Sequence, residues 1–322
     1  MMVLLGVTGY IGRQFKETLQ ERGLPVEAPL RSQMDYTRFE ALREFLRKTE
    51  PEFLVNAAGY TGKPNVDACE TDWAGTLQGN TLFPAMVAQA CASLGIPFGH
   101  VSSGCIYSGA KVVDGKNGAD GSHVERDLTL ARLQKLLAEK PGNFRGFSET
   151  DEPNFTFRQP PCSFYSGTKA LAEEAIRDVG QNYIWRLRIP FDQFDNPRNY
   201  LSKLQNYPKV YQNANSLSHR ADFVAACLDL WQKRAPFGIY NVTNPGFVTS
   251  QQVIEMIQKI LRPARSFEFW SDDAEFYRVA AKTPRSNCLM DVAKLLATGV
   301  RLRPVETALA NALENWVPSK SK

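Results

Sequence analysis

At 322 residues, with 43% hydrophobic and 22% charged residues, the chain has the composition of a soluble globular protein of one or two domains. A net charge of +4 without a Lys/Arg stripe argues against nucleic acid, and no run of about 18 apolar residues is available to span a membrane. Six cysteines (Cys69, Cys91, Cys105, Cys162, Cys227 and Cys288) form no C-x-x-C pair, which argues against a zinc site and a disulfide framework.

The opening MMVLLGVTGYIG has no basic n-region and reads as a strand entering a turn, so a cytoplasmic protein is expected. Met2 to Gly6 is that strand. Ile11, Phe15 and Leu19 then recur at helical spacing up to Gly23. A second strand is predicted at Pro25 to Leu30. Thr37 to Glu40, TRFE, has capping-box spacing before the apolar stripe Phe39, Leu42, Phe45 and Leu46. FLVNAAG, Phe53 to Gly59, is a third strand. A long helix is predicted over about Thr76 to Leu94, followed by a strand in PFGHVSSGCIY. After a gap come a helix over about Ser166 to Val179 and a strand, YIWRLRIP, from Tyr183 to Pro190. This alternation predicts an α/β fold, a doubly wound parallel sheet with helices on both faces.

The pattern lapses between Tyr107 and Ser163. Gly, Asn and Asp crowd Asp114 to Gly121, and the amphipathic LTLARLQKLLAEK predicts a helix within an inserted loop over about 108–160. Beyond Pro190 the chain alternates irregular stretches with returns to the sheet. A capped helix is predicted at Thr249 to Leu261 and a last one at Val305 to Trp316. The predicted division is a dinucleotide-binding domain over 1–189 and a smaller C-terminal α/β substrate region over 190–322, with about 222–245 returning to the first.

Gly6, Gly9 and Gly12 follow a strand and open a helix. That spacing permits a tight turn, close approach to a pyrophosphate and close helix–sheet packing. Tyr10 and Ile11 lie in the same turn. Arg31, where an acid would grip a ribose 2′-hydroxyl, suits a 2′-phosphate, so NADPH is the expected cofactor and NADH is left open. Asn56, Ala57 and Ala58 end the third strand with mostly small side chains that leave room for a ligand. SFYSGTK then places Lys169 four residues after Tyr165, on one helix face. A phenol has a pKa of about 10 in water; a nearby ammonium would lower it. Such a phenol can serve as an acid for a ketone, and Ser103, which ends the preceding strand, would bond the same carbonyl oxygen. His100, His123 and His219 make no metal-ligand or Ser/His/Asp spacing and are read as structural or exposed.

The glycine turn, NAAG, Ser103 and the Tyr165/Lys169 pair together resemble the extended short-chain dehydrogenases/reductases. NAAGYTGKPNVDACE, SSGCIY, SFYSGTKALAEE, NPRNYLSK, NVTNPG and PRSN resemble the dTDP-4-dehydrorhamnose reductase branch. Within it they are most similar to the bifunctional 3,5-epimerase/4-keto-reductases of nucleotide-linked rhamnose. The resemblance implies Tyr165 as proton donor to the C4 oxygen, Lys169 as its tuner and ribose ligand, and Ser103 as carbonyl polariser. It implies Cys105 and Lys203 as the acid–base pair for epimerisation, with Cys162 a rival to Cys105. It also implies Arg198, Asn199, Arg285 and Asn287 around the nucleotide-diphosphate sugar. The segment between Ser103 and Tyr165 is much longer than the resemblance implies, which opens the identity of the sugar. Reduction or epimerisation of another nucleotide sugar, and a non-catalytic NADP-binding regulatory subunit, are the alternatives; a relative in this branch regulates methionine adenosyltransferase. A homodimer is left open.

Overall fold

Met2 to Leu5 is short, yet its residues serve two cores. The computed structural model describes residues 1–63, 65–113, 122–129, 131–132, 135–136 and 144–319. Six parallel strands, β1 (Met2–Leu5), β2 (Val26–Glu27), β3 (Phe53–Asn56), β4 (Phe98–Ser103), β5 (Asn182–Leu187) and β6 (Gly238–Asn241), lie in the order β2-β1-β3-β4-β5-β6. The helices are α1 (Tyr10–Glu21), α2 (Phe39–Thr49), α3 (Trp73–Leu77), α4 (Phe83–Ser93), α5 (Phe164–Ile176), α6 (Tyr200–Asn206), α7 (Arg220–Gln232), α8 (Ser250–Leu261) and α9 (Val305–Glu314), with shorter pieces between them.

Successive strand residues point to opposite faces. Met2, Leu4, Phe53, Val55, Tyr183 and Trp185 therefore pack with Phe15 and Leu19 of α1 and Phe223 of α7. Val3, Leu5, Leu54 and Ile184 pack on the other side with Leu42 and Leu46 of α2 and Val87 of α4. Both faces are buried, which is why the strand sequences read as unbroken apolar runs. The strand order reverses beside β1, with β2 on one side and β3 on the other. A doubly wound sheet opens its ligand crevice at such a point, outside the carboxyl ends of the strands.

A third core lies apart from the sheet. Leu201 and Leu204 of α6, Val253 and Ile257 of α8, and Leu309 and Leu313 of α9 form its centre. Residues of α7 and Tyr240 of β6 pack in the first core instead.

Several predicted elements take a different local form. The second strand pairs only through Val26 and Glu27, and Arg31 lies in the turn region beyond it. Thr37 does not cap α2; its hydroxyl bonds the Asp35 carboxylate at 2.5 Å, and Arg38 occupies the cap position without a side-chain bond. The long helix is α3 and α4 joined by a π segment, Gln78–Leu82, within which Asn80 holds both backbone groups of Tyr60 at 2.8 Å. Such π turns are frequent near functional sites. The strand in PFGHVSSGCIY ends at Ser103, and Gly104–Ile106 is a 3-10 turn.

The flanks of the insertion form a small antiparallel sheet, in which Ala110–Val113 pairs with Ser122–Glu125 and Phe144–Arg145. Residues 114–121 and most of LTLARLQKLLAEK lie outside the described residues. Gly109 and Phe147 bridge to Cys288 and Met290, so the insertion's flanks grip the C-terminal segment that carries Asn287.

Gly99 of β4 lies under the indole of Trp185. A Cβ there would stand 1.9 Å from the buried ring. Gly99→Ala is expected to cost about 1–3 kcal/mol by overpacking, read as a lower urea midpoint with an unchanged slope.

Candidate active site

Gly6 closes β1 at φ +83°, a region that favours glycine. A Cβ there would lie 2.5 Å from Ala58 N, and one at Gly12 would lie 2.0 Å from Gly6 O. The glycines thus let the ends of β1 and β3 and the start of α1 meet backbone to backbone. Gly9 donates its N–H to Gly6 O at 3.0 Å and occupies the cap position of α1 without a side chain to bond the first amides. Thr8 and Gly9 are exposed. An open helix N-terminus of this kind suits a pyrophosphate, so the turn fits a dinucleotide. Tyr10 turns inward, with its ring under the Arg220 guanidinium at 4.7 Å, and Ile11 packs against the first core. Their side chains serve packing; their backbone belongs to the turn. Arg31 is exposed, and its charge reaches the phenol of Tyr36. Burial raises that phenol, and Arg31 and a hydrogen bond from the Gly6 amide oppose the rise.

Asn56 departs from the sequence reading. It is 0% exposed, its Oδ1 accepts from Ala58 N at 3.1 Å, and its Nδ2 faces His100 Nδ1 at 3.2 Å. It shapes the strand end instead of lining the crevice, because a buried amide must spend its bonds on the protein.

The strands are parallel, so Ser103 at the end of β4 lies on the same sheet edge as the glycine turn. Ser163 caps α5, its Oγ accepting from Ser166 N at 3.1 Å, and Glu70 Oε1 accepts from Phe164 N at 2.7 Å. The helix start is thereby fixed one residue before Tyr165. The Tyr165 phenol lies beside Ser103, Cys105, Cys69 and Arg188. Burial pushes it well up and the Cys105 thiolate form would add to this; a hydrogen bond with Ser103 and the Arg188 charge oppose it. Lys169 is 4% exposed and donates to Val101 O at 3.0 Å. Burial lowers it to about 8, opposed by Cys105 and Glu173. In the free protein desolvation is the largest influence on the phenol and outweighs the groups that lower it.

Cys105 follows Ser103 in the 3-10 turn, where its amide bonds Ser103 Oγ at 3.2 Å. Its thiol is raised by burial and lowered by Ser103, Ser166, Arg188 and Lys169. Cys162 is half-buried nearby, its thiol raised by burial and by Glu70 and Cys105. Lys203, on α6, stands with Arg198 and Arg285; burial and these two cations weaken its ammonium. Arg198 donates to Gly62 O at 3.0 Å, and Arg285 forms a two-point pair with Asp67, both contacts 2.7 Å. Asn287 Oδ1 accepts from Asn215, which also holds Arg188 at 2.5 Å. Asn199 is corrected: it is 0% exposed, caps α6 through Leu201 N, and donates to Asp192 and Phe194. Its motif position marks a helix start, not a ligand contact.

The RmlD substrate binding domain family matches residues 1–317. This chain belongs to that family. A trifunctional UDP-glucose 4,6-dehydratase/UDP-4-keto-6-deoxy-D-glucose 3,5-epimerase/UDP-4-keto-L-rhamnose-reductase of Arabidopsis thaliana is 30% identical over 91% of this chain and 39% of its own length. The chain thus spans about two fifths of that relative. A bifunctional dTDP-4-dehydrorhamnose 3,5-epimerase/dTDP-4-dehydrorhamnose reductase of the same plant is 28% identical, covering 95% of this chain and 90% of its own. The crystal structure of the L780 UDP-rhamnose synthase from Acanthamoeba polyphaga mimivirus superposes with a TM-score of 0.79 at 21% identity, over 98% of both chains.

Within this RmlD-family site, sequence reasoning passed over the groups that hold the reactive ones. Arg188 is 4% exposed, and its Nε has no partner among the described residues. Glu70 bridges Phe164 N and Thr283 Oγ1. Glu173, one turn beyond Lys169, receives Ser102 Oγ at 2.5 Å and two guanidinium nitrogens of Arg186, at 2.7 and 3.0 Å. The one available signal was the two arginines in the apolar run YIWRLRIP, since arginine is almost never buried unless paired. Removing one partner of a buried pair leaves an uncompensated charge, so Arg186→Met is expected to cost about 3–5 kcal/mol. Chemical denaturation of that variant, and of a Glu173→Leu/Arg186→Met double variant that loses less, checks the pair.

Proposed function

We propose that the chain reduces a nucleotide-linked 4-keto-6-deoxyhexose of the dTDP- or UDP-4-keto-rhamnose type with NADPH, and epimerises the same sugar at C3 and C5. The observation that supports this is Ser103 against the Tyr165 phenol on the sheet edge that also holds the glycine turn, with Lys169 one turn along the same helix. The reductase and epimerase names of both plant relatives support the sugar class. Residues 1–189 with about 222–245 form the dinucleotide-binding part, and the rest forms the substrate part.

The glycine turn and Arg31 would hold NADPH, which would supply the hydride when bound. Tyr165 gives its proton to the C4 oxygen as charge develops there, and burial keeps that proton in place beforehand. Ser103 donates a hydrogen bond to the same oxygen. Arg198 and Arg285 make a cationic wall suited to a diphosphate, for which the guanidinium fork is well shaped. Asp67 keeps Arg285 extended towards it. For epimerisation, Cys105 is held as a thiol by burial and suits the acid, while Lys203, whose amine is favoured by its cationic neighbours, suits the base.

Incubation with NADPH and dTDP-, UDP-, GDP- and CDP-linked 4-keto sugars, with products identified by NMR, tests the reading; no NADPH oxidation across the panel removes it. Tyr165→Phe is expected to lower reduction by about 10²–10⁴-fold and leave NADPH affinity largely intact, measured by fluorescence titration. Cys105→Ala is expected to stop solvent-deuterium exchange at C3 or C5 and spare reduction of a pre-epimerised ketone. Unchanged exchange would return Cys105 to a packing role.

A further inference from the structure

A histidine that no part of the proposed reaction uses lies against the lysine that it does use. His100 is 0% exposed, on β4 three residues before Ser103. Its two ring nitrogens meet different partners: Asn56 Nδ2 at Nδ1, 3.2 Å away, and Lys169 Nζ at Nε2, 3.4 Å away.

The network assigns the ring's proton. The Ala58 amide can only donate, and it points at Asn56 Oδ1 at 3.1 Å. The oxygen of that side chain is therefore on the Ala58 side, and the Asn56 NH₂ faces His100. A donor facing Nδ1 requires Nδ1 to accept. A neutral imidazole then carries its proton on Nε2, pointed at Lys169. An ammonium has three donors and no lone pair, so an ammonium there sets donor against donor. An amine instead offers a lone pair to Nε2–H while still donating to Val101 O.

We propose that His100 is a positioning residue whose Nε2–H, locked by Asn56 and Ala58, stabilises the neutral amine of Lys169 and so sets the pH at which that lysine loses its charge.

The other groups around this lysine pull the opposite way. Glu173 on α5 and Cys105 in the 3-10 turn both favour the ammonium, and Glu173 is itself neutralised by Arg186 from β5. Arg188 and Cys69 face Tyr165. Burial lowers Lys169 to about 8 and holds His100 well below its ordinary value, with the Lys169 charge adding to the latter. Both shifts agree with the assigned tautomer.

The catalytic consequence rests on the proposed reduction; the tautomer does not. The chain has three histidines, so ¹⁵N ring spectra of the whole protein resolve each one. His100 is expected as the neutral Nε2–H form from pH 6 to 9, with no substrate or NADPH present. An Nδ1–H form or an imidazolium overturns the proposal, whatever the enzyme turns over. The second measurement is the pH profile of NADPH-dependent reduction. Activity is expected to fall as pH rises through about 8, as Lys169 loses its proton. His100→Gln places an amide that can turn its oxygen to Nζ, so the midpoint is expected to move up by about one pH unit. A merely structural role would lower the plateau and leave the midpoint in place, and that result would also overturn the proposal.

Discussion

Glu173 is a carboxylate in the interior, and the placement of the reactive residues depends on it. A charge there is tolerated only with close compensation. Arg186 supplies it from β5, and Ser102 bonds the same group from β4. Arg186 in turn reaches the Tyr107 hydroxyl, which donates to Asp151 O at the edge of the insertion. One ion pair therefore ties α5, two strands of the sheet and the inserted segment together. Tyr165 and Lys169 sit on that helix, so a buried ion pair helps to set where they stand relative to Ser103.

Desolvation governs the chemistry next to this pair. Burial raises the phenol of Tyr165 and the thiol of Cys105 and lowers the ammonium of Lys169. Each shift favours a neutral group, as expected where water is excluded. A site of neutral donors suits a reaction in which negative charge appears on an oxygen only transiently. The guanidinium groups of Arg198 and Arg285 stand together, where a diphosphate would bring its own charge. Asp67 meets one of them, Arg285, with a hydrogen bond and a second ion-pair contact, each 2.7 Å. The arrangement separates a polar, charge-matched wall from a dry reactive corner.

The insertion belongs to the same construction. Its flanks bridge to Cys288 and Met290 and its start follows the 3-10 turn of Cys105. Met290 lies so close to Gly104 that a Cβ there would meet its sulfur at 2.2 Å. The described flanks of the lengthened segment, at Gly109 and Phe147, are thus packed against the stretch bearing Arg285 and Asn287.

The parallel sheet, the glycine turn and the helix carrying Tyr165 and Lys169 were legible in the sequence because each is written in a local period. Alternating burial gives strands, a 3.6-residue stripe gives helices, and three spaced glycines give a backbone approach. The Thr37 cap was misread because a neighbouring Asp35 competes for the hydroxyl, a choice that spacing does not encode. Asn199 looked like a ligand contact and is a helix cap, since the motif records that the residue matters and not which way it faces. His100 and Lys169 stand 69 positions apart, and Asp67 and Arg285 stand 218 apart. Such pairings, and the protonation states that burial then imposes, exist only once the strands and helices are packed. The sequence determined which chemical groups the chain owns and on which elements they ride; the tertiary structure decided which of them meet, because contact and loss of water are properties of the packed whole.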